Sequence, residues 1–152
     1  MLTAIPKSWF SWGYEIFQDS RSVALLDQAH MREKGEILIQ ERNYQIGREG
    51  LLSGAYFLRR DGENVATATK TSAFTRTFEV FTEGGLFTLA SATAFKRRFV
   101  LRDGEKIIGS ISPKTWISRK AVVDLPENFP LEIQVFITWL VVLMWRREQS
   151  SN

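Results

Sequence analysis

The chain has 152 residues, a formal net charge of +3 and no cysteine. This length suits one domain with a sizeable core, and 44% hydrophobic with 24% charged residues is ordinary for a globular protein. The lack of cysteine excludes disulfides, cysteine-ligated zinc and thiol catalysis, while the mild positive charge permits an acidic partner without requiring one. Because no basic segment followed by an apolar stretch stands at the N-terminus, we expect a cytoplasmic protein, with a peripheral membrane location as the alternative.

The first part of the chain predicts strands joined by polar segments. Residues 1–7 are expected to be a lead-in, and residues 9–17 and 23–26 predict two strands around a turn. The polar stretch 28–35 predicts a loop or a short helical turn. Residues 36–46 predict one long strand with both faces partly covered, because apolar residues occupy both parities.

After residue 50 the hairpin signals become regular. Asp-Gly pairs at 61–62 and 103–104, and Glu-Gly-Gly at 83–85, separate runs in which apolar and polar residues alternate. Asp-Gly between alternating runs is the strongest short hairpin signal. A last strand is predicted over residues 116–123, after a loop that starts at Pro113. The whole chain predicts roughly ten to twelve strands at hairpin spacing, which indicates a sandwich or a barrel.

Residues 130–147 predict a helix whose apolar side chains cover its whole circumference. Glu132 suits the positive end of the helix dipole, and two arginines suit the other end. A helix that is apolar all round must be surrounded by protein or by lipid. Its dense apolar run, residues 135–145, is about 11 residues long, whereas a bilayer span needs roughly 20. A buried core helix is therefore favoured, and membrane insertion or a peripheral hydrophobic anchor is the alternative.

Two stretches of the chain resemble each other at an offset of about 42 to 44 residues. Residues 57–64 and 70–76 match residues 100–106 and 114–119. A duplicated hairpin unit within one closed sheet explains the similarity, and chance similarity between Asp-Gly hairpins is the alternative. Strands followed by one all-round apolar helix predict a mainly β (α+β) fold, in which a roughly twelve-stranded antiparallel β-barrel encloses the hydrophobic C-terminal helix.

The run Phe74-Thr75-Arg76-Thr77-Phe78-Glu79-Val80 resembles the LURP-one-related family, which is akin to phospholipid scramblases and the tubby C-terminal domain. The same resemblance extends to residues 95–101, to the hairpin 103–109 and to the terminal helix. It covers most of the chain, more securely from Tyr44 onward. The resemblance implies one barrel domain over residues 1–152, with about twelve strands around a hydrophobic helix. It does not imply scramblase activity, because the chain lacks the cysteine-rich and proline-rich segments of scramblases.

The densest basic cluster in the sequence is Lys96-Arg97-Arg98. Alternation along a strand sends Lys96 and Arg98 to one face and Arg97 to the other. A patch for anionic lipid or phosphate is the functional interpretation, and tubby domains of the resembling superfamily bind phosphoinositides. A solvated outer strand face is the more ordinary explanation, since surface lysine and arginine are the default. The predicted anionic-lipid-binding residues are Lys96, Arg98, Lys114, Arg119 and Lys120.

No catalytic, cofactor-binding or metal site is predicted from the sequence. His30 is the only histidine, and no ligand-spaced partner surrounds it, so a surface loop position is expected. Turn chemistry explains the carboxylates Asp61, Glu63, Asp103 and Glu105. The aromatic residues follow strand periodicity and predict core packing, so no nucleic-acid partner is expected.

The sequence therefore predicts a non-enzymatic binding module without a cofactor. Its partner is predicted to be an anionic phospholipid headgroup, bound through a basic surface, or a protein. The alternative is a membrane-associated, scramblase-like protein that uses its hydrophobic C-terminal helix. The oligomeric state and the physiological role do not follow from the sequence.

Overall fold

The computed structural model describes residues 1–8, 12–28, 33–50, 53–72, 75–93 and 97–150. Within these residues, twelve antiparallel strands close into a barrel and one helix follows the last strand. The elements are β1 (Leu2–Pro6), β2 (Tyr14–Gln18), β3 (Arg21–Gln28), β4 (Lys34–Ile39), β5 (Arg42–Arg48), β6 (Ala55–Arg60), β7 (Glu63–Lys70), β8 (Thr77–Thr82), β9 (Gly85–Ser91), β10 (Phe99–Asp103), β11 (Lys106–Pro113), β12 (Ala121–Asp124) and α1 (Leu131–Ser150).

The barrel closes through its first and last strands. Each strand pairs with its neighbour in the chain, and β1 also pairs with β12, with Leu2 opposite Val123 and Ala4 opposite Ala121. The predicted twelve-stranded antiparallel barrel is thereby confirmed. The prediction that residues 1–7 are a lead-in is wrong, because this segment supplies the closing strand. Its alternation rests on only two inward residues, Leu2 and Ala4, which is too short a pattern to stand out in the sequence.

The stretch 36–46, predicted as one strand, is two strands. A two-residue turn joins β4 to β5, and Gln40 in that turn has a positive φ of 56°. The inward-facing parity changes at this turn, from odd-numbered residues such as Ile37 to even-numbered residues such as Tyr44. Apolar residues on both parities therefore mark a reversal of the chain rather than a strand covered on two faces. The loop predicted over residues 28–35 is also shorter than expected, because β3 and β4 both extend into it.

Two other predicted strands are shorter than the sequence indicated. The strand predicted over residues 9–17 begins at Tyr14, and its first three residues lie outside the described part of the chain. The strand predicted over residues 116–123 begins only at Ala121. Residues 114–120 instead form the connection between β11 and β12.

The predicted duplicated hairpin has matching geometry in its two copies. In β6–β7 the register shifts between Leu58 and Arg59, and in β10–β11 it shifts between Leu101 and Arg102, at the same position relative to the turn. In a third hairpin, β2–β3, the register shifts between Ile16 and Phe17, again at the same position relative to the turn. The three hairpins recur every four strands around the barrel. Such a β-bulge increases local twist and bends a strand, which helps a sheet to close on itself.

The helix α1 occupies the interior of the barrel. From Val135 to Val142 every side chain is at most 1% exposed, on all sides of the helix. The inward faces of the strands supply the surrounding surface, and the Tyr56 ring meets Trp139 edge-on with centroids 5.9 Å apart. The favoured interpretation as a buried core helix is thus confirmed. In the described residues we find no helix with the length and apolar character needed to cross a bilayer.

Polar groups of the buried helix have partners. Trp145 Nε1 donates to the Arg97 carbonyl oxygen at 2.9 Å, and Trp139 Nε1 donates to Gln28 Oε1 at 3.3 Å. The buried Thr138 hydroxyl donates to the carbonyl of Gln134 one turn earlier, at 2.8 Å. These bonds avoid the cost of unpaired polar groups in the interior, and the two tryptophan bonds also fix the helix along its axis relative to the barrel.

Candidate functional site

The two ends of the barrel carry opposite charge. At one end the helix begins, and the strands are joined by the short turns 19–20, 40–41, 61–62, 83–84 and 104–105. At the other end the helix finishes, and the connections are residues 7–13, 29–33, 49–54, 71–76, 92–98 and 114–120. We call the second end, including the strand residues that flank these connections, the basic end. Its described cations are Lys7, Lys34, Arg48, Lys70, Arg76, Arg97, Arg98, Lys114, Arg119, Lys120, Arg146 and Arg147.

Four described carboxylates of the basic end, those of Asp27, Glu33, Glu49 and Glu148, are each engaged by a cation. Glu33 contacts Arg147 and Arg48, with oxygen–nitrogen distances of 2.7 and 3.4 Å. The other pairs are Lys7–Asp27 at 2.9 Å, Arg76–Glu148 at 2.8 Å and Arg59–Glu49. The remaining positive charge at this end is therefore not neutralised by the carboxylates that the structure describes.

The predicted site residues lie together at the basic end where the structure describes them. Arg98 is in the connection 92–98, and the other three predicted residues are in the neighbouring connection 114–120. Arg97 Nη1 donates to the Trp116 carbonyl oxygen at 3.2 Å and so joins these two connections. Lys96 and His30, for which a binding role and a surface-loop position were predicted, lie outside the described residues.

Three of the predicted cations are available to a ligand. Arg98, Lys114 and Lys120 are exposed, and none forms an ion pair with a described residue. Lys114 and Lys120 stand side by side, because the Lys114 amide donates to the Lys120 carbonyl at 2.8 Å and closes the connection. Two lysine side chains that start from neighbouring backbone positions favour a multivalent anion over a single counter-ion.

Arg119, the other predicted residue, is engaged in the structure of the barrel. Its guanidinium lies 4.5 Å from the Trp12 ring centroid, and its Nη1 donates to the Ser8 carbonyl at 3.4 Å. Its own carbonyl accepts a hydrogen bond of 3.0 Å from the Tyr14 hydroxyl. Burial raises the pKa of Tyr14 from 10.0 to about 12, against the opposing effect of Arg119. Arg119 therefore positions the base of the connection 114–120.

Glu33, Arg76 and Arg119 form three equivalent contacts around the end of the helix. They are spaced 43 residues apart in the chain, and the amides of Arg48 and Ser91 bond in the same way to the carbonyls of Glu33 and Arg76. Glu33 binds Arg147, Arg76 binds Glu148, and Arg119 shares the Trp12 ring with Arg146. The repeat predicted from the sequence contained two of these residues, Arg76 and Arg119, and the structure adds Glu33 as a third equivalent position that was not predicted.

The strongest of these contacts is the cluster around Arg147. Its Nη2 donates to both oxygens of Glu33 at 2.7 Å and to the Tyr56 hydroxyl at 2.7 Å. Burial alone would lower the pKa of Arg147, but the hydrogen bonds to Glu33 and the nearby Tyr56 raise it on balance. Burial raises the pKa of Tyr56 as well, with Arg147 opposing. Burial and the neighbouring Arg147 lower the pKa of Lys70.

A groove of about 730 Å³ opens beside the connection 114–120. Trp12, Ile117, Arg119 and Lys120 are among its lining residues, together with Ile5 and other side chains of the barrel rim. The groove combines apolar walls with cations at its edge. An anionic lipid headgroup with part of its glycerol backbone would complement this groove, because it combines a negative charge with apolar surface.

Sequence reasoning missed several residues of this end. Trp12, Trp116, Ile117 and Arg146 were treated as parts of a strand or of the core helix, and Arg97 was assigned away from the site. The sequence predicts a loop that starts at Pro113, but the loop was expected to end before Trp116, whereas it continues to Lys120. The Trp12 contact depends on distant parts of the chain, so it had no local signal.

The opposite end of the barrel contains a larger cleft, of about 820 Å³. Phe87 and Phe129 form its floor, with ring centroids 5.0 Å apart. Its rim includes Asp61, Glu63, Glu83 and Asp103, which were predicted as turn residues, and Glu132 from the first turn of α1, which was predicted at the positive end of the helix dipole. Among the described residues, no group of three or more histidine, cysteine, aspartate or glutamate side chains is placed to hold a metal ion.

Comparison of this chain with protein-family models, with curated proteins and with solved structures gives no match. The likeness to the LURP-one-related family therefore stays a prediction, although the fold that it implied is the one observed.

Proposed function

We propose that this protein is a non-enzymatic binding module that docks its basic end on anionic phospholipid headgroups. The observation that carries the proposal is the segregation of charge. Arg98, Lys114 and Lys120 are exposed on adjacent connections and lack carboxylate partners among the described residues. A cluster of unneutralised cations on one face attracts an anionic membrane by about 1 kcal/mol for each lysine or arginine near the surface.

The shape of this end supports the same proposal. Lys120 and Arg119 line a groove that also has apolar walls, and the groove lies at the rim of the closed barrel. A membrane-facing surface needs cations that reach outward, whereas the ion pairs of Glu33 and Glu148 hold the helix inside and stay behind them. Membership of the LURP-one-related family is part of the proposal, and it would explain both the barrel and a lipid ligand.

The alternative, a scramblase-like protein that inserts its C-terminal helix, is disfavoured by the packing of α1. Val135 to Val142 fill the barrel and leave no surface for lipid while the barrel is closed. Release of the helix would empty the core, and each large apolar side chain so exposed costs about 1.5–3 kcal/mol.

The test is binding of the purified protein to sedimented liposomes. Neutral phosphatidylcholine vesicles are compared with vesicles that contain phosphatidylserine or phosphoinositides, over a series of salt concentrations. We expect binding only to the anionic vesicles, and we expect it to weaken as salt screens the interaction. A soluble inositol phosphate that competes fully with the vesicles would show that a free phosphate group, rather than the membrane surface, is the ligand.

The variant Lys114→Glu/Lys120→Glu provides the residue-level test. We expect at least a tenfold loss of binding, since two attractive charges become repulsive. The matched control is Arg42→Glu/Lys106→Glu, which makes the same change in net charge at exposed positions of the opposite end. Equal loss in both variants would show that only net charge matters, and the proposed site would be wrong.

A further inference from the structure

The connection 114–120 carries the most exposed large apolar side chains of the described chain. Trp116 is 85% exposed and Ile117 is 69% exposed, and the two are adjacent. Single exposed apolar residues are common on protein surfaces. A tryptophan and an isoleucine side by side at the tip of a connection expose far more apolar area at one point than a single exposed residue does.

The backbone of this connection presents the pair outward at the tip of a turn. The Ser118 amide donates to the Thr115 carbonyl at 3.0 Å, which places Trp116 and Ile117 at the two central positions of a β-turn. Glycine, proline, asparagine, aspartate and serine dominate such positions, so turn chemistry does not account for a tryptophan and an isoleucine there. The Arg97 guanidinium donates to the Trp116 carbonyl and braces the turn, so the apolar tip is held in place through its own backbone.

The charges around the tip match an anionic membrane surface. Lys114 and Lys120 stand at the base of the connection, two and three residues from the apolar pair. Two extended residues span at most about 7 Å. Cations at the headgroup level would therefore place the tip up to about 7 Å deeper, within the roughly 5–10 Å zone where interfacial apolar groups lie. Tryptophan has a particular preference for this zone, because it combines an apolar ring with a polar N–H.

We propose that Trp116 and Ile117 form a wedge that inserts into the interface of an anionic bilayer while Lys114 and Lys120 contact its headgroups. The inference rests on the proposed function and specifies how the basic end is oriented on the membrane. It assigns the apolar contribution to a braced turn, and α1 stays inside the barrel. Binding then has two components, of which one is sensitive to salt and the other is not.

The first experiment follows the depth of the tip directly. Because the chain has no cysteine, Ile117→Cys can be labelled at one site with an environment-sensitive fluorophore. The control is Ile107→Cys, which replaces an isoleucine that is 54% exposed at the opposite end of β11. On addition of phosphatidylserine vesicles we expect at least a twofold rise and a blue shift in emission for the label at 117, with quenching by lipid-borne quenchers. The label at 107 should not change.

The second experiment removes the wedge and keeps the charge. Trp116→Ser/Ile117→Ser should weaken binding to anionic vesicles at least tenfold at physiological salt, and the residual binding should be more sensitive to salt. The control, Leu86→Ser/Ile107→Ser, removes two other exposed apolar residues and should bind as the unmodified protein does. Both variants change exposed side chains, so circular dichroism should show the native fold.

The outcomes separate this inference from the proposed function. If the unmodified protein binds anionic vesicles, but the serine variant binds equally well and the label at 117 stays in water, the wedge is wrong and headgroup binding stands. If the unmodified protein binds no vesicle at all, the proposed function and the wedge both fail.

Discussion

The end of the barrel where the helix begins and the end where it finishes differ in charge and in the length of their connections. At the first end the strands are joined by two-residue turns, in which Asp61 and Gly62 have positive φ values of 52° and 79°. At the second end the connections have five to seven residues and carry most of the surrounding cations. The helix dipole is oriented to match, with its positive end among carboxylates and its negative end among arginines and lysines.

This difference shows which charges need a functional explanation. A two-residue hairpin turn selects aspartate, asparagine and glycine for backbone reasons, so carboxylates at the first end follow from turn chemistry. The longer connections of the basic end impose no such demand on Lys114, Trp116 or Lys120. Loops that a rigid scaffold positions are where binding residues concentrate. The basic end is therefore the stronger candidate, even though the cleft at the other end is larger.

The largest expected effect is the loss of the folded barrel on removal of α1, because the helix fills the interior and supports both ends. A chain that stops after Pro130 should not form the barrel, since about a dozen buried apolar side chains at roughly 1.5–3 kcal/mol each exceed the total stability of an ordinary domain. Near-ultraviolet circular dichroism and amide NMR dispersion would measure the loss. A soluble, folded truncated chain would contradict the enclosed helix.

The single substitution Trp139→Ala is a milder change in the same helix. It should lower the free energy of unfolding in urea by about 3–5 kcal/mol.

The next effect is specific to the basic end and depends on pH. Burial keeps the Tyr14 hydroxyl protonated in the folded state up to a pKa of about 12, whereas the unfolded chain ionises near 10.0. The unfolded state therefore binds fewer protons between these values, and stability should fall as the pH rises from 10 to 12. The difference of about two units corresponds to a loss of up to roughly 2–3 kcal/mol.

Urea unfolding at several pH values between 9 and 12 measures this effect, with Tyr14→Phe as the comparison. The variant should be less stable at neutral pH by about 1 kcal/mol, because the hydrogen bond to Arg119 is lost. Its stability should then fall less steeply above pH 10. The remaining slope is expected from Tyr56, whose pKa burial also raises. Parallel curves for the two proteins would show that Tyr14 does not control the alkaline limit.

How far the sequence predicts this molecule differs between the fold and the site. The barrel and its helix were predictable, because alternation, Asp-Gly turns and an all-round apolar run are local signals. The closing strand β1 and the turn at Gln40 were missed, since neither carries a glycine or a long enough pattern. Lys114 and Lys120 were predicted as site cations, but the exposed turn at Trp116 and Ile117 was not, because a β-branched and an aromatic residue shortly before Ala121 favour one continuous strand. The bonds from Ser118 to Thr115 and from Lys114 to Lys120, which close the turn, distinguish the two structures.

A smaller effect separates the ion pairs of the two ends. Arg147→Gln should cost about 1–2 kcal/mol, because Glu33 keeps only the longer contact to Arg48. At the opposite end Arg60 and Asp61 are 3.8 Å apart, with side chains 43% and 92% exposed, so Arg60→Gln should cost less than about 0.5 kcal/mol. Double-mutant cycles with Glu33→Gln and Asp61→Asn measure each coupling. Equal coupling energies at both ends would contradict the structural role of the Arg147 cluster.

The smallest expected effect is the change in stability that accompanies charge reversal at exposed positions. Lys114→Glu/Lys120→Glu replaces two lysines that have no carboxylate partner among the described residues, so the free energy of unfolding should change by less than about 0.5 kcal/mol. Its sign should be stabilising, because the new glutamates stand among cations. The control Arg42→Glu/Lys106→Glu places glutamates among carboxylates, so its small change should be destabilising. Thermal unfolding at low salt measures both changes, and salt should remove the difference. A marked loss of stability in the first variant would mean that the two lysines support the barrel, and any loss of membrane binding could not then be assigned to the headgroup contact.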